Sequence, residues 1–213
     1  MKYLIWANFK MNKTSKELNE YLDVFIQKYS CFVNVDVALA PVTSSLSWVS
    51  EIIWKSCLNL CAQNMHFDHF WAYTWEVSPD MLVDLWCKYV LVWHSERRQM
   101  FWETNEIVNK KVISAIENNI RPILCIWETL EEKELGISKE VLKIQILKWL
   151  QNVVDYSKVD IAYEPVWAIW TGKTATREYI EEIHTFIRWI IWDVESRIIY
   201  WWSVKSDNSK ELI

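Results

Sequence analysis

Glycine is almost absent from this chain: Gly136 and Gly172 are the two glycines among 213 residues, where an average protein of that length has about 15. Sixteen tryptophans accompany this shortage. The scarcity excludes glycine-rich linkers and low-complexity repeats. It also conflicts with any turn-rich fold, because such folds need glycine where φ is positive or where backbones approach closely.

Three further absences each exclude a class of protein. The chain has no run of Lys or Arg and a net charge of −5, so neither a nucleic-acid partner nor a membrane surface is expected. Its N-terminal apolar stretch is broken by Asn8 and Lys10, too early for a signal peptide or a membrane span. The five cysteines contain no C-x-x-C pair, which favours a reduced, cytoplasmic protein over a disulfide framework; they are Cys31, Cys57, Cys61, Cys87 and Cys125.

Short apolar runs alternate with longer segments of helical pattern. The runs have the character of strands buried on both faces, and they cover residues 3–9, 35–40, 58–62, 89–92, 121–126, 160–163 and 197–200. The helical segments cover residues 16–29, 104–118, 131–154 and 176–195. This alternation predicts an α/β protein with a parallel sheet, in one domain over residues 1–213. Seven strands suit an open doubly wound sheet as well as an incomplete barrel, and periodicity alone does not choose between them.

Charged residues come directly after three of these strands, where α/β proteins build their sites. Lys10 follows the first strand. His94 and Glu96 follow the fourth, and Glu164 follows the sixth. Taken singly, each is more often a solvated charge. If the strands are parallel and adjacent, all four face one crevice, and together they suit acid–base and electrostatic catalysis.

Two other patterns compete with this interpretation. One has zinc-ligand residue types, but its Cys-to-His gap of four residues is far shorter than in zinc fingers; it consists of Cys57, Cys61, His66 and His69. The other, residues 171–174, resembles half of a P-loop whose first glycine is missing. His184 lies in a helical segment among apolar residues and is expected to be structural.

Six segments resemble the signature segments of the triosephosphate isomerase family, in the family's order: ANFKMN, CAQNM, YVLVWHSERRQMFWET, CIWETLEEKE, IAYEPVWAIWTGKTAT and RIIYWWSVKSDN. The resemblance covers the chain from Tyr3 to its end. It implies a (β/α)8 TIM barrel, truncated after about the seventh strand, with the eighth β/α unit missing. It also implies an isomerase of glycolysis and gluconeogenesis that interconverts dihydroxyacetone phosphate and D-glyceraldehyde 3-phosphate through an enediolate, with no cofactor and no metal.

The resemblance implies a role for each matching residue. Glu164 would be the base that moves a proton between two carbons of the triose phosphate. His94 would be a neutral electrophile that polarises the carbonyl. Lys10, held by Asn8, would supply fixed positive charge to the phosphate and to the developing oxyanion. Glu96 would be a second carboxylate near the site.

Loops and a subunit contact are implied in the same way. A lid would close over the substrate and exclude water; its residues are Pro165, Val166, Trp167, Gly172, Lys173, Thr174 and Ala175. Residues at the phosphate would be Trp170, Trp201, Trp202 and Ser203. Thr74 would lie at the tip of a loop that inserts into a neighbouring subunit, so a homodimer is implied.

Tryptophan stands where the family ordinarily carries glycine at nine positions: Trp71, Trp75, Trp86, Trp93, Trp102, Trp127, Trp170, Trp201 and Trp202. Trp167, by contrast, stands where the family has tryptophan. If every tryptophan except Trp167 were glycine, the glycine content would be about 8%, close to the ordinary proportion. The simplest explanation is a codon, UGA, that the source organism reads as glycine. Because indoles would fill the phosphate loop, we expect the literal Trp chain to fold poorly and its activity to be doubtful.

Two functional alternatives remain open. Another phosphosugar isomerase on the same fold is disfavoured by the HSERR and YEPVWAI segments. A catalytically dead barrel relic, acting as a binding or scaffold protein, is favoured by the tryptophans and by the missing eighth strand. Intact Lys10, His94 and Glu164 speak against it.

Overall fold

A computed structural model describes residues 2–168, 175–201 and 204, and all structural statements concern these residues. Seven strands lie at the predicted places: β1 (Tyr3–Asn8), β2 (Val35–Ala40), β3 (Leu58–Ala62), β4 (Cys87–Val92), β5 (Arg121–Trp127), β6 (Asp160–Glu164) and β7 (Ile198–Tyr200). The helices of the described ranges are α1 (Ser15–Lys28), α2 (Leu46–Ile53), α3 (Pro79–Asp84), α4 (Ser95–Phe101), α5 (Asn105–Glu117), α6 (Leu130–Glu134), α7 (Ser138–Trp149) and α8 (Arg177–Ile191).

The helix predicted over residues 131–154 is two helices, because the chain turns between α6 and α7. Gly136, at the turn, has a φ of 74°, which is unfavourable for any residue with a Cβ. The short helices α2 and α3 were absent from the sequence prediction, whereas a helix beginning at Ser95 was implied by the family resemblance and is α4. Helices α2 and α3 have too few turns to display a helical period.

The chain divides into two compact units, and the expectation of a single domain stays a prediction. The first unit comprises the described residues up to Val92 together with Ser114–Pro122. Within it β1, β2, β3 and β4 pair in parallel, each strand with the next along the chain. Thr14 begins α1 with a capping box closed by Glu17, and the helix buries Leu18 and Leu22.

The second unit comprises Trp93–Ile113 and the described residues from Ile123 onwards. Here β5 pairs in parallel with β6, and β6 with β7. A buried ion pair joins the beginnings of the last two strands: Arg197 donates from Nε to Asp160 Oδ1 at 2.9 Å. In each unit the carboxyl ends of parallel strands meet at one edge, so the polar residues that follow them are brought together.

A disulfide joins Cys31 and Cys57 in the first unit, across 26 residues of sequence, with a Cα–Cα distance of 5.9 Å. The expectation that the cysteines form no disulfide is therefore wrong for this pair. Nothing in their spacing indicated it, because the two meet only when the segment before β2 packs beside the turn before β3. The other cysteines, Cys61, Cys87 and Cys125, are buried thiols. Among the described helices, none combines the length and the apolar character needed to cross a bilayer.

Candidate active site

Lys10 of the first unit has an unusual backbone that two side chains hold in place. Its φ is 52°, in the left-handed region that non-glycine residues rarely adopt. Asn8 Oδ1 accepts a hydrogen bond from the Lys10 amide at 2.9 Å. Gln63 Nε2 donates to the Lys10 carbonyl at 3.1 Å and to the Ala40 carbonyl at 2.9 Å. Strain that neighbouring groups over-determine in this way is typical of functional positions, where it fixes a side chain.

Gln63 was missed as a site residue at the sequence level, although its segment, CAQNM, was among those that carry the resemblance. The available signal was its position directly after β3 (Leu58–Ala62), at the same strand edge as Asn8 and Lys10. Because its side chain ties the end of β2 to Lys10, we assign it a positioning role.

In the second unit, His94 and Glu164 are brought together in the interior. Glu164 ends β6 and is fully buried, and His94, two residues after β4, is 3% exposed. His94 Nε2 lies 3.9 Å from Glu164 Oε1. His94 is the N-cap of α4, and its Nδ1 accepts a hydrogen bond from the Glu96 amide at 3.3 Å. A ring nitrogen that accepts an N–H carries a lone pair, so this bond favours a neutral imidazole with its proton on Nε2, facing Glu164.

Glu96 lies at the edge of this pair. Its Oε2 is 3.4 Å from His94 Nδ1, but its side chain is 41% exposed. Solvent therefore screens it more than it screens Glu164, and its backbone amide is the part that determines the tautomer of His94.

Glu128, directly after β5, is a buried carboxylate that sequence reasoning did not single out. Its Oε1 accepts hydrogen bonds from Tyr163 Oη at 2.8 Å, Trp167 Nε1 at 2.8 Å and Tyr179 Oη at 3.1 Å. Burial raises the pKa of Glu128, while the three donors act in the opposite direction. Burial and the nearby carboxylate also raise the pKa of Tyr179 to about 12, so this phenol stays a donor at neutral pH.

This cluster anchors the described ends of the predicted lid. Pro165 is buried, Val166 is partly buried, and the one-turn helix Val166–Ala168 contains Trp167, over whose ring Lys133 Nζ lies 2.9 Å from the centroid. Ala175, at the other end, is buried in the same apolar cluster as Trp167, Ala168 and Ile180. The lid residues Gly172, Lys173 and Thr174 lie outside the described residues, and so does Trp170.

The remaining predicted residues divide between the two units. Trp201 follows β7, and its amide donates to the Tyr163 carbonyl at 2.8 Å, one residue before Glu164. Trp202 and Ser203 lie outside the described residues. Thr74 is exposed in the first unit, in an exposed segment that also includes Phe70 and Trp75.

The competing zinc pattern is not assembled. Cys57 is bonded to Cys31, and Cys61 is buried in β3. His69 Nδ1 lies 2.8 Å from Asp80 Oδ2. No cluster of three or more metal-ligating side chains occurs in the part of the chain that the structure describes.

A buried carboxylate beside a neutral imidazole is suited to one class of reaction, the removal of a proton from a carbon next to a carbonyl. The carboxylate can accept the proton, and the imidazole N–H can donate a hydrogen bond to the oxygen on which charge develops. A fixed cation would complement that charge and any phosphate on the substrate.

Comparison with known proteins agrees with this chemistry. The profile of the family described as Triosephosphate isomerase matches residues 3–213. Similar curated proteins, each named Triosephosphate isomerase, come from Aquifex aeolicus (41% identity over all of this chain and 89% of the relative), Carboxydothermus hydrogenoformans (44%, all of this chain and 88%) and Mycoplasmopsis pulmonis (42%, all of this chain and 87%).

Proposed function

Because this chain belongs to the triosephosphate isomerase family, we propose that Glu164, His94 and Lys10 carry out its reaction. The chain is an isomerase, and its family interconverts dihydroxyacetone phosphate and glyceraldehyde 3-phosphate, a step of glycolysis. The predicted family, fold class and reaction are thus confirmed. The alternative of a catalytically dead relic is not favoured.

The proposed reaction begins when the Glu164 carboxylate removes a proton from the carbon next to the carbonyl. The carbonyl oxygen then gains negative charge, and His94 Nε2–H donates a hydrogen bond to it, which stabilises the enediolate. Glu164 returns the proton to the neighbouring carbon, while the hydroxyl proton on the first carbon passes by way of His94 Nε2 to the former carbonyl oxygen. Both transfers together complete the isomerisation without a cofactor. The observation that carries this assignment is the 3.9 Å separation of His94 Nε2 and Glu164 Oε1, with both side chains buried. At that spacing, a substrate carbon can contact the Glu164 carboxylate while the oxygen of the adjacent carbonyl contacts His94 Nε2.

Residues 165–175 form the proposed lid. Two observations support it: Trp167 Nε1 is fixed to Glu128, and Ala175 is buried in the same cluster as Trp167. A lid held at these two points would exclude water from the substrate when closed, and this would protect the enediolate. Trp170 is proposed to lie in this lid.

The phosphate is proposed to bind between the lid and the residues that follow β7, namely Trp201, Trp202 and Ser203. The described part that supports this is Trp201, whose amide is tied to β6 next to the base. Lys10 supplies the compensating positive charge, and Asn8 and Gln63 orient it through its backbone. Glu96 is proposed to assist by holding His94 in its tautomer.

The enzyme is proposed to act as a cytoplasmic homodimer, with Thr74 near the subunit contact. Exposed aromatic side chains lie close to Thr74 in the sequence; Phe70 is 83% exposed and Tyr73 is 42% exposed. An apolar patch of this kind on a protein surface is typical of a contact with another chain.

Replacement of the base tests the assignment. Glu164→Asp withdraws the carboxylate by one methylene, so kcat is expected to fall about 100-fold while KM changes little, since a displacement of about 1 Å costs that much. Glu181→Asp, a control of the same chemistry at an exposed position of α8, should leave both constants unchanged. A Glu164→Asp enzyme that keeps more than about half of the parental kcat would show that another group is the base.

A further inference from the structure

Nine non-glycine residues of the described chain have positive φ, and five of them are tryptophans: Trp75 (84°), Trp86 (59°), Trp93 (68°), Trp102 (49°) and Trp192 (49°). Only a few per cent of non-glycine residues adopt this conformation, and for a bulky side chain it is an outlier. The other four are Lys10, Lys13, Asn119 and Asn152. Asparagine is among the few side chains that tolerate this conformation, Lys10 is held by its neighbours, and the φ of 70° at Lys13 has no structural explanation. Five of the fourteen tryptophans within the described ranges therefore adopt a backbone suited to glycine.

Three of the five tryptophans lie just after the C-terminus of a helix, where glycine is common. Trp102 and Trp192 are the left-handed residues that end α4 and α8. Trp86 is two residues after α3, where the chain reverses into β4. A left-handed residue after a helix is usually glycine. Gly136, the one described glycine, has this role after α6, with a φ of 74°.

The indoles at these positions are also poorly packed. Four of them are strongly exposed: Trp75 95%, Trp86 70%, Trp102 82% and Trp192 83%. Tryptophan is on average a highly buried residue. Trp167 differs in both respects, because it is 5% exposed and donates to Glu128, and it is not among the positive-φ residues.

We propose that positions 75, 86, 93, 102 and 192 are glycine in the protein as its own cell makes it, whereas position 167 is tryptophan. The codon at the five positions is then one that the source organism reads as glycine. Backbone conformation distinguishes the two sets without any comparison of sequences, and it agrees with the shortage of glycine in the whole chain. Exposure supports the assignment at four of the five positions, all but Trp93.

Glycine at position 93 would affect the active site, an inference that rests on the proposed role of His94. The left-handed turn at 93 lies between β4 and His94, and it sets the direction in which His94 caps α4. The Trp93 indole is 1% exposed, and its Nε1 has no hydrogen-bond partner among the described residues. Glycine makes the same turn without a Cβ in an unfavourable position and without burying that N–H. Position 93 is thus a positioning residue for the electrophile.

Peptide mass spectrometry of the enzyme purified from its source cells tests the proposal. Peptides that contain positions 75, 86, 93, 102 and 192 should have the masses of glycine peptides, and the peptide with Trp167 should have that of a tryptophan peptide. Tryptophan at any of the five would overturn the assignment by backbone conformation, and so would glycine at 167. The peptide masses do not depend on enzymatic activity. A failure of the glycine assignment is therefore distinguishable from a failure of the proposed role of Glu164.

Discussion

Glycine at Trp102 and Trp192 should stabilise the chain when it is produced with tryptophan in a host that uses the standard code. At each position a left-handed non-glycine residue costs about 1–2 kcal/mol. Glycine recovers that cost but loses about 0.4–1 kcal/mol through the greater freedom of the unfolded chain. The indoles are 82% and 83% exposed, so little burial is lost with them. The net gain is about 1 kcal/mol per site, or about 2 kcal/mol for Trp102→Gly with Trp192→Gly.

For a chain of 213 residues, that gain corresponds to a rise in Tm of about 4–8 °C. Urea unfolding followed by circular dichroism measures the free energy of unfolding directly. If the parent chain precipitates, the fraction of each variant recovered in soluble form is compared instead. The matched control is the double alanine variant, Trp102→Ala with Trp192→Ala. Alanine also removes the indoles but keeps a Cβ and its left-handed penalty, so it should give much less of the gain.

Trp167→Gly provides the opposite control. It removes a buried indole and its hydrogen bond to Glu128, and it should cost about 3–5 kcal/mol. Equal stabilisation by alanine and by glycine at positions 102 and 192 would refute the reasoning, because the gain would then come from removing the exposed indole and not from the backbone. A loss of stability in the glycine variant would refute it as well.

Three further predictions concern stability. Cys57→Ser opens the disulfide with Cys31, whose 26-residue span corresponds to about 3–4 kcal/mol; a reductant should lower the Tm of the parent by a similar amount and leave the variant unchanged. His184, partly buried beside Tyr163, has its pKa lowered to about 4 by burial and by Arg188. The unfolded chain therefore binds this proton first, and the free energy of unfolding should fall by about 3 kcal/mol as the pH drops from about 6.5 to 4. His184→Gln should reduce this pH dependence, and an unchanged dependence in the variant would contradict the burial of His184. Asp160→Asn leaves the Arg197 guanidinium without its buried counter-charge and should cost about 3–5 kcal/mol in urea unfolding, whereas a loss below about 1 kcal/mol would contradict a buried pair.

The strands were predictable because each contains a short, mainly apolar run bounded by polar residues. β6 reads Asp160–Glu164 and is buried at every position. A parallel strand covered on both faces requires that composition, so composition alone locates it. The division between α6 and α7 was not predictable from apolar spacing. It depends on one glycine, and a single glycine inside a helical pattern is often tolerated.

The proposed reactive residues could be selected from the sequence for a similar local reason, since Glu164 ends β6 and His94 lies two residues after β4. Their supporting contacts were not. Glu128 receives its hydrogen bonds from residues 35, 39 and 51 positions further along the chain. Cys31 and Cys57 likewise meet only through tertiary structure. Sequence spacing carries information over a few residues, whereas these contacts depend on how whole elements pack.

Lys10 and the tryptophans at two helix ends share a left-handed backbone but differ in how it is held, and the difference supports the role proposed for Lys10. At Lys10 the conformation is held by side chains on both sides of the residue, with Asn8 bonded to its amide and Gln63 to its carbonyl. Such support is needed only if a lysine, and no glycine, is required at that point, because the strain must be offset by the surrounding structure. The turns at Trp102 and Trp192 are helix ends, which glycine makes without support. Nothing in the proposed chemistry requires an exposed indole there. At position 10 the left-handed backbone therefore accompanies a side chain that the proposed reaction requires. At positions 102 and 192 the same backbone requires no side chain at all.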